Sequence, residues 1–292
     1  MPIKHIEINH WNQRFSEEIQ QQAIDSLEKG KVLFIKDLSF ILFPEEKQFL
    51  TPEFANPKNK NISYLPNSDK LRGVCHLSDE KTHLLKAMMK RYSYDADKFI
   101  KSLFPKYVKD IVIGRTSYRP VQISGRKTSY RKDDKRLHVD AFPSSPNQGK
   151  RILRIFTNIN PNTQARVWRI GEPFEKVLEK FSDKLSYPFK IKSMFLKFFH
   201  LTKSYRTLYD HFMLQLHDSM KADNDYQKNA PQTEFHFPAG SSWIVQTDHV
   251  SHAAMQGQYV LEQTFYLPIN AMQNESLSPL RIFENHLRCN LV

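Results

Sequence analysis

The stretch from residue 136 to residue 158 constrains the fold more than any other part of the chain. It places His138 and Asp140 two positions apart, continues through a break rich in proline, serine, asparagine and glycine, and ends in the β-branched, apolar run Ile152 to Phe156. This order predicts a strand over Leu137 to Asp140, a turn and a second strand. Because side chains alternate along a strand, His138 and Asp140 are expected on one face.

An imidazole and a carboxylate on one strand are a candidate pair of metal ligands. With a distant histidine they form the arrangement of two histidines and one carboxylate that leaves coordination positions open on Fe(II). The spacing alone is weak evidence, since His5 and Glu7 show it as well. Those two lie near a terminus without a strand, a turn and a strand around them, so we interpret them as surface residues. The context of His138 and Asp140 therefore carries the prediction.

The third ligand is expected in residues 248–258, where a predicted strand reaches a turn at Gly257 and the next strand, Val260 to Leu267, returns as a hairpin. His249 and His252 are both present. Three positions apart, they cannot share a strand face, so at most one of them is a ligand. His252 lies five residues before Gly257, a spacing that resembles that of the distal histidine in many Fe(II)- and 2-oxoglutarate-dependent oxygenases, and this resemblance favours His252. The alternative for His138, Asp140 and His252 is a hydrogen-bonded core cluster that binds no metal.

An Fe(II) oxygenase that uses 2-oxoglutarate also needs a cation for the distal carboxylate of this keto acid. Most oxygenases of this kind place an arginine on the strand after the distal histidine. This sequence departs from that pattern, because no Lys or Arg lies between His252 and Arg281, so the cation must come from another strand. Arg154 shares a strand face with Ile152 and Phe156, and a guanidinium buried there is costly unless it pairs with an anion. Arg154 is therefore the first candidate for binding 2-oxoglutarate.

Other basic and polar side chains are candidates for binding 2-oxoglutarate or the substrate. The alternatives to Arg154 are Arg151 and Arg166, and additional hydrogen bonds to 2-oxoglutarate are predicted from Thr264 and Gln263. Guanidinium groups bind carboxylate and phosphate groups bidentately. The candidates for gripping an anionic substrate are Arg119, Arg131 and Arg136.

Short strands in the second half of the chain and amphipathic helices before them predict an α+β protein. The core is expected to be a double-stranded β-helix, or jelly roll, with N-terminal and inserted helices packed outside. We expect a single domain over residues 1–292, with a mainly helical portion to residue 109 and the core over residues 110–270. A helical insertion is predicted at about residues 172–220, a loop at 221–234 and a tail at 271–292.

The charge balance favours an anionic partner. The chain has 43 Lys and Arg against 31 Asp and Glu, a net charge of +12. The alternative is a basic surface that only maintains solubility. Two cysteines favour a reducing compartment. The first 30 residues contain no apolar core region and no run approaches 18 apolar residues, so we expect neither secretion by a signal peptide nor a membrane span. Residues 187–217 mix basic and aromatic side chains, which suits a membrane interface or a buried helical insertion equally well.

Several stretches of this sequence together resemble the Kdo hydroxylases, where Kdo is 3-deoxy-D-manno-oct-2-ulosonic acid. Two of them are Arg-Lys-Asp-Asp-Lys-Arg-Leu-His-Val-Asp-Ala-Phe-Pro-Ser (131–144) and Val-Ser-His-Ala-Ala-Met-x-Gly-Gln-x-x-Leu-Glu-Gln-Thr-Phe (250–265), and the others span residues 27–34, 116–121, 151–161 and 166–174. The resemblance implies a jelly roll that uses Fe(II), 2-oxoglutarate and O2 to hydroxylate C3 of the Kdo in lipid A precursors, giving Ko. It also favours His252 over His249.

The resemblance further implies a cytoplasmic enzyme, peripheral on the inner face of a bacterial inner membrane, whose partner is the anionic glycolipid Kdo-lipid A. No nucleic acid partner is then expected, and the oligomeric state is left open. Two alternatives remain. One is a 2-oxoglutarate oxygenase that acts on another acidic glycan, a lipid or a protein side chain. The other is a metal-free basic β-module that binds anionic lipid or nucleic acid.

Overall fold

The computed structural model describes residues 1–57, 59, 61–125, 128–187 and 205–292. Within these residues the strands are β1 (Ile3–His5), β2 (Val32–Ile35), β3 (Ile62–Leu65), β4 (Lys70–Arg72), β5 (Val112–Arg119), β6 (Arg151–Asn158), β7 (Arg166–Ile170), β8 (Thr233–Phe237), β9 (Ser242–Gln246), β10 (His252–Gln256) and β11 (Val260–Leu267). The helices are α1 (Glu17–Glu28), α2 (Asp79–Leu103), α3 (Phe174–Phe181), α4 (Leu208–Ala222), α5 (Asn224–Asn229) and α6 (Pro279–Leu287).

Two sheets form the core. The larger has eight strands in the order β1-β2-β9-β6-β11-β5-β3-β4, and the smaller has three in the order β10-β7-β8. All neighbouring strands are antiparallel except β1 and β2. The first 109 residues thus supply two strands at each edge of the larger sheet in addition to α1 and α2. The predicted jelly roll with helices outside is confirmed.

Aromatic side chains fill the space between the two sheets. Phe156 of β6 stacks on Trp243 of β9 with ring centroids 5.2 Å apart, and it meets the edge of Trp168 of β7 at 5.1 Å. Phe237 of β8 stacks on Trp243 at 4.1 Å. Each large ring buries much apolar area and offers few rotamers, so these contacts hold the sheets in one relative position.

The outer face of the larger sheet is covered by α1 and α2. Ser16 and Ser78 cap the two helices by accepting hydrogen bonds from backbone N–H groups of the first turn, which satisfies donors that the helix itself cannot. The helices bury their apolar faces against Leu153 and Ile155 of β6, among others. Because side chains alternate, Arg154 between these two points to the inside of the jelly roll.

The other helices form a second layer around the segment that precedes Asp140. Leu137 and Val139 are buried among apolar residues of α3, α4 and α6. Residues 224–229, predicted as loop, form α5 instead. Asp223 caps this short helix by accepting from the N–H of Tyr226, whose ring is buried, and this packing outweighs the polar composition. Of the predicted interface segment 187–217, residues 188–204 lie outside the described residues.

Two local predictions about strands near the candidate ligands are wrong. Residues 137–140 do not form a strand, since only His138 makes an isolated bridge, to His252. The chain does not return as a hairpin after Gly257 either, because β10 pairs with β7 in the smaller sheet and β11 pairs with β5 and β6 in the larger one. A hairpin turn and a corner between two sheets both need residues in the left-handed conformation. A glycine between two predicted strands is therefore compatible with either connection.

Candidate metal centre

His138, Asp140 and His252 converge at one point inside the jelly roll. One potential ligand atom from each lies within 4.8 Å of the other two, and no other His, Cys, Asp or Glu group of three in the described ranges is this close. The distance from His138 Nε2 to Asp140 Oδ1 is 3.8 Å, and the two imidazole centroids are 4.7 Å apart. All three side chains are buried. Their separations match a set of donors around one ion.

Backbone hydrogen bonds bring the three residues together. The N–H of His138 donates to the carbonyl of His252 at 3.0 Å, and the N–H of His252 donates back to the carbonyl of His138 at 2.9 Å. In such a reciprocal antiparallel pair both side chains lie on the same side. The N–H of Asp140 donates to the carbonyl of Thr247 at 2.8 Å, immediately beyond β9. The segment that carries His138 and Asp140 is therefore docked onto the chain around His252.

The histidines present the atoms that a metal would use. His138 Nδ1 lies 2.7 Å from the carbonyl of Arg136, and His252 Nδ1 lies 2.8 Å from the carbonyl of Val250. A carbonyl only accepts, so Nδ1 carries the proton in both rings and the Nε2 lone pairs are available. Burial lowers the pKa of both histidines, for His138 well below its usual value. Neutral imidazole is the form that binds metals, and the donor set fits Fe(II).

Arg154 keeps Asp140 ionised. Burial alone would raise the pKa of Asp140, but the positive charge of Arg154, the largest opposing effect, holds that pKa well below its usual range. Arg154 Nη2 is 2.9 Å from Asp140 Oδ2. Asp140 Oδ1 faces His138, so an anionic oxygen remains directed at the candidate centre.

Glu262 on β11 anchors two arginines behind the centre. It accepts from Arg119 through both Nε and Nη2, lies 3.1 Å from Arg154 Nη1, and accepts from Thr264 Oγ1 at 3.1 Å. Burial would raise the pKa of Glu262, but Arg119 and Arg154 outweigh it and lower the pKa to about 2. Sequence reasoning missed Glu262, although its position two residues before Thr264 on a buried strand was a usable signal.

The residues predicted to bind 2-oxoglutarate separate onto two faces. Arg154 and Thr264 are directly paired across β6 and β11 and point inward beside Asp140 and Glu262. Gln263 points to the opposite face, where it accepts from Thr116 Oγ1 at 2.6 Å. The structure therefore does not bring Gln263 to the predicted site, because alternate side chains of β11 face opposite ways.

The two alternatives to Arg154 differ in the same way. Arg151 lies on the helix side of β6, where its Nε donates to Asp248 at 2.7 Å with both side chains fully buried, so it does not face the centre. Arg166 shares the inward face of β7 with Trp168 and donates to the carbonyl of Gly257 at 2.9 Å. Arg166 thus stays close to the interior.

The predicted substrate arginines do not form one cluster. Arg119 is part of the buried network around Glu262. Arg131, which is exposed, pairs with Asp218 of α4 at 3.0 Å. Arg136 donates to the carbonyl of Lys221 at 2.7 Å. Arg131 and Arg136 therefore attach α4 to the segment that leads to His138.

His249 is separate from the centre. Its ring packs against Phe174 of α3, with centroids 5.7 Å apart, and against Gly30, where an added Cβ would lie 3.2 Å from the ring. Burial lowers the pKa of His249 well below its usual value. Of the two histidines that competed in the sequence, the structure brings only His252 to His138 and Asp140.

Three further residues near the centre had no signal in the sequence. Trp168 stacks on the His252 ring at 5.0 Å, and His217 meets the His138 ring edge-on at 5.4 Å. Lys221, one turn further along α4, is buried and donates to the carbonyl of Arg131 at 3.2 Å. Burial first and then the charge of Lys221 lower the pKa of His138. Only the packing of α4 and β7 places these groups here.

A jelly roll with two neutral histidines, an ionised aspartate and an inward arginine at one point defines the class of non-haem Fe(II)- and 2-oxoglutarate-dependent dioxygenases. The family model described as 3-deoxy-D-manno-oct-2-ulosonic acid (Kdo) hydroxylase matches residues 10–289. The chain belongs to the Kdo hydroxylase family. A search of curated proteins gave no match.

Solved structures of a Kdo hydroxylase, KdoO, described as a non-haem Fe(II) α-ketoglutarate-dependent dioxygenase, are similar over the whole chain. Its complex with α-ketoglutarate and Fe(III) is 51% identical, covers 100% of this chain and 98% of its own, and has a TM-score of 0.97. The cobalt(II) complex has the same identity and coverage and a TM-score of 0.98. The complex with succinate and Fe(III) is 50% identical with a TM-score of 0.96. The predicted enzyme class and its use of Fe(II), 2-oxoglutarate and O2 are confirmed.

Proposed function

We propose that this protein hydroxylates C3 of Kdo in Kdo-lipid A to give Ko, while 2-oxoglutarate and O2 are converted to succinate and CO2. The observation that carries the proposal is the convergence of His138, Asp140 and His252 beside Arg154 in a member of the Kdo hydroxylase family. One oxygen atom of O2 enters the sugar and the other enters succinate, so the reaction is balanced without a further reductant.

In this proposal the iron ligands are His138 Nε2, an oxygen of Asp140 and His252 Nε2. Iron bound there supplies the oxidising chemistry. The protein keeps both imidazoles neutral by burial and keeps the carboxylate ionised through Arg154. The three ligands are almost completely buried, and no side chain is required as a general acid or base.

Arg154 is the proposed partner of the distal carboxylate of 2-oxoglutarate, with Thr264 adding a hydrogen bond. Supporting this role, Arg154 is 5% exposed and its guanidinium is held between Asp140 and Glu262. Arg119 and Arg166 add positive charge to the same interior. With a ferrous ion present, these groups would outweigh the two carboxylates, which favours a dianionic keto acid.

The remaining parts of the proposal concern the acceptor and its location. Arg119, Arg131 and Arg136 are proposed to attract the anionic groups of Kdo-lipid A, and the net charge of +12 supports an acidic partner. We propose a cytoplasmic enzyme that works at the inner face of a bacterial inner membrane. Among the described residues, the helices are all too short or too polar to cross a bilayer. A single domain over residues 1–292 is also proposed, since β1 and β11 belong to one sheet.

The direct test is turnover by the purified protein. It is loaded with Fe(II) and given 2-oxoglutarate, O2 and Kdo-lipid A, after which mass spectrometry of the released sugars and a succinate assay are run. We expect a gain of one oxygen on Kdo and an equal amount of succinate, both abolished by a chelator. Hydroxylation of a different acidic glycan or lipid, with Kdo left unchanged, would contradict the proposed substrate.

A further inference from the structure

A cavity of about 480 Å³ lies between the end of β5 that carries Gly114 and the segment that follows Asp140. Its walls include Phe142, two residues beyond Asp140, and Tyr266 at the end of β11. The guanidinium of Arg154 lies 5.5 Å from the centre of the Phe142 ring, so this wall of the cavity reaches the side chains that surround the candidate iron site. The volume is within the range of about 300 to 1,000 Å³ found for small-molecule sites.

A bulge in β5 places Arg115 on the wall of this cavity. Thr116 pairs with Gln263 and Ile113 pairs with Phe265, so Gly114 and Arg115 together lie opposite the single residue Thr264. Bulges of this kind redirect a side chain and are common beside active sites. Thr264 is also paired with Arg154 on its other side. Arg115, Thr264 and Arg154 therefore form a row across three neighbouring strands.

Arg115 differs from the arginines deeper in the site in its ionic partners. Arg119 and Arg154 each pair with at least one buried carboxylate. Within the part of the chain that the structure describes, the guanidinium of Arg115 makes neither an ion pair nor a hydrogen bond to another side chain, and the residue is exposed. Its charge still reaches the network, since it contributes to lowering the pKa of Glu262.

We propose that this cavity is the subsite for the acceptor sugar and that Arg115 binds the carboxylate of Kdo there. This inference rests on the proposed function. A guanidinium matches a carboxylate with two parallel hydrogen bonds. The other walls carry the groups that a sugar ring needs: hydroxyl and amide groups from Asn67, Ser68, Ser144 and Ser145, and the rings of Phe142 and Tyr266.

The test compares Arg115→Gln, Arg115→Lys and the control Arg14→Gln, which removes an exposed positive charge outside the cavity. Each enzyme is assayed with Kdo-lipid A, with the same acceptor after methyl esterification of its Kdo carboxylates, and with the acceptor after removal of its phosphates. KM and kcat are measured for the acceptor, and KM for 2-oxoglutarate. Melting temperatures report any loss of folding.

For Arg115→Gln we expect KM for Kdo-lipid A to rise about tenfold or more, the loss typical of a hydrogen bond to a charged group. The KM for 2-oxoglutarate and the melting temperature are expected to match those of the control. Arg115→Lys should recover part of the affinity. Esterification should weaken binding to the wild-type protein by a similar factor but have little further effect on Arg115→Gln, whereas phosphate removal should affect both proteins equally.

Three results would overturn the assignment of Arg115 while leaving the proposed function intact. They are an unchanged KM for the acceptor, a raised KM for 2-oxoglutarate alone, and a loss of discrimination against the dephosphorylated acceptor instead of the ester. Wild-type protein that converts no Kdo acceptor would overturn the proposed function itself, and the two failures are thereby separated.

Discussion

His138 and His252 exchange both of their backbone hydrogen bonds, at 3.0 and 2.9 Å. Two candidate ligands that are far apart in the sequence are thus paired by their own main chains. Since each Nδ1 is also bound to a nearby carbonyl, both rings are oriented without help from a metal. A site prepared in this way loses little conformational entropy when the ion binds.

Metal binding should distinguish His252 from His249. We expect His252→Ala to weaken Co(II) or Fe(II) binding by more than about 100-fold, beyond the loss that outer residues of metal sites cause. His249→Gln should retain the metal, because His249 packs against Phe174 and Gly30, and should lower stability instead. A titration monitored by Co(II) absorbance measures the metal affinity of each variant, and thermal unfolding measures its stability. The opposite pattern would contradict the proposed ligand set.

Arg154 and Arg151 lie on one strand but face opposite ways, so their removal should have different effects. Arg154→Gln is expected to raise KM for 2-oxoglutarate by at least about tenfold, because a charged hydrogen-bond donor is lost. Arg151→Gln leaves Asp248 buried without its partner and should lower the free energy of unfolding by about 3–5 kcal/mol. Steady-state kinetics and urea unfolding measure the two quantities. A raised KM for 2-oxoglutarate in folded Arg151→Gln would argue against this division of roles.

Glu262 should make stability depend on pH in acid. Its pKa is lowered from 4.5 to about 2 in the folded protein. The unfolded chain therefore takes up a proton first as the pH falls, and the stabilisation present above pH 4.5 is lost toward pH 2. Glu262→Gln lacks this titrating group and removes the carboxylate that Arg119 and Arg154 share. The difference in unfolding free energy between wild type and Glu262→Gln should shrink by about 2 kcal/mol between pH 6 and pH 3. A difference that does not change with pH would contradict the argument.

Gly257, at the corner between β10 and β11, should tolerate no side chain. Its φ is +106°, and an added Cβ would lie 3.0 Å from the carbonyl oxygen of Ala165. Gly257→Ala is expected to lower the free energy of unfolding by roughly 1–3 kcal/mol. Gly125 is a matched control, since its φ is +84° and an added Cβ would meet no atom of the described residues within 4 Å. Urea unfolding measures the loss of unfolding free energy for Gly257→Ala and Gly125→Ala. A larger loss for Gly257→Ala would measure the effect of the close contact, and equal losses would show that this contact has no effect.

Local pattern was sufficient for the parts of the site that lie on one strand or in one short segment. Alternation along residues 152–156 predicted an inward Arg154, and the order of ligand, turn and strand singled out His138 and Asp140. The same alternation places Gln263 and Thr264 on opposite faces of β11, so only one of these two neighbours can point toward 2-oxoglutarate. These inferences succeed because the side-chain period of a strand is set by its own backbone.

Only the tertiary structure decided what depends on packing between distant segments. It brought His252 rather than His249 to the ligand pair, sent β10 and β11 to different sheets, and buried Glu262 between two arginines. It also placed Lys221 and Trp168 near the histidines. These contacts leave no periodic pattern in the sequence. Each one depends on how sheets and helices from distant parts of the chain pack together and bury a shared core.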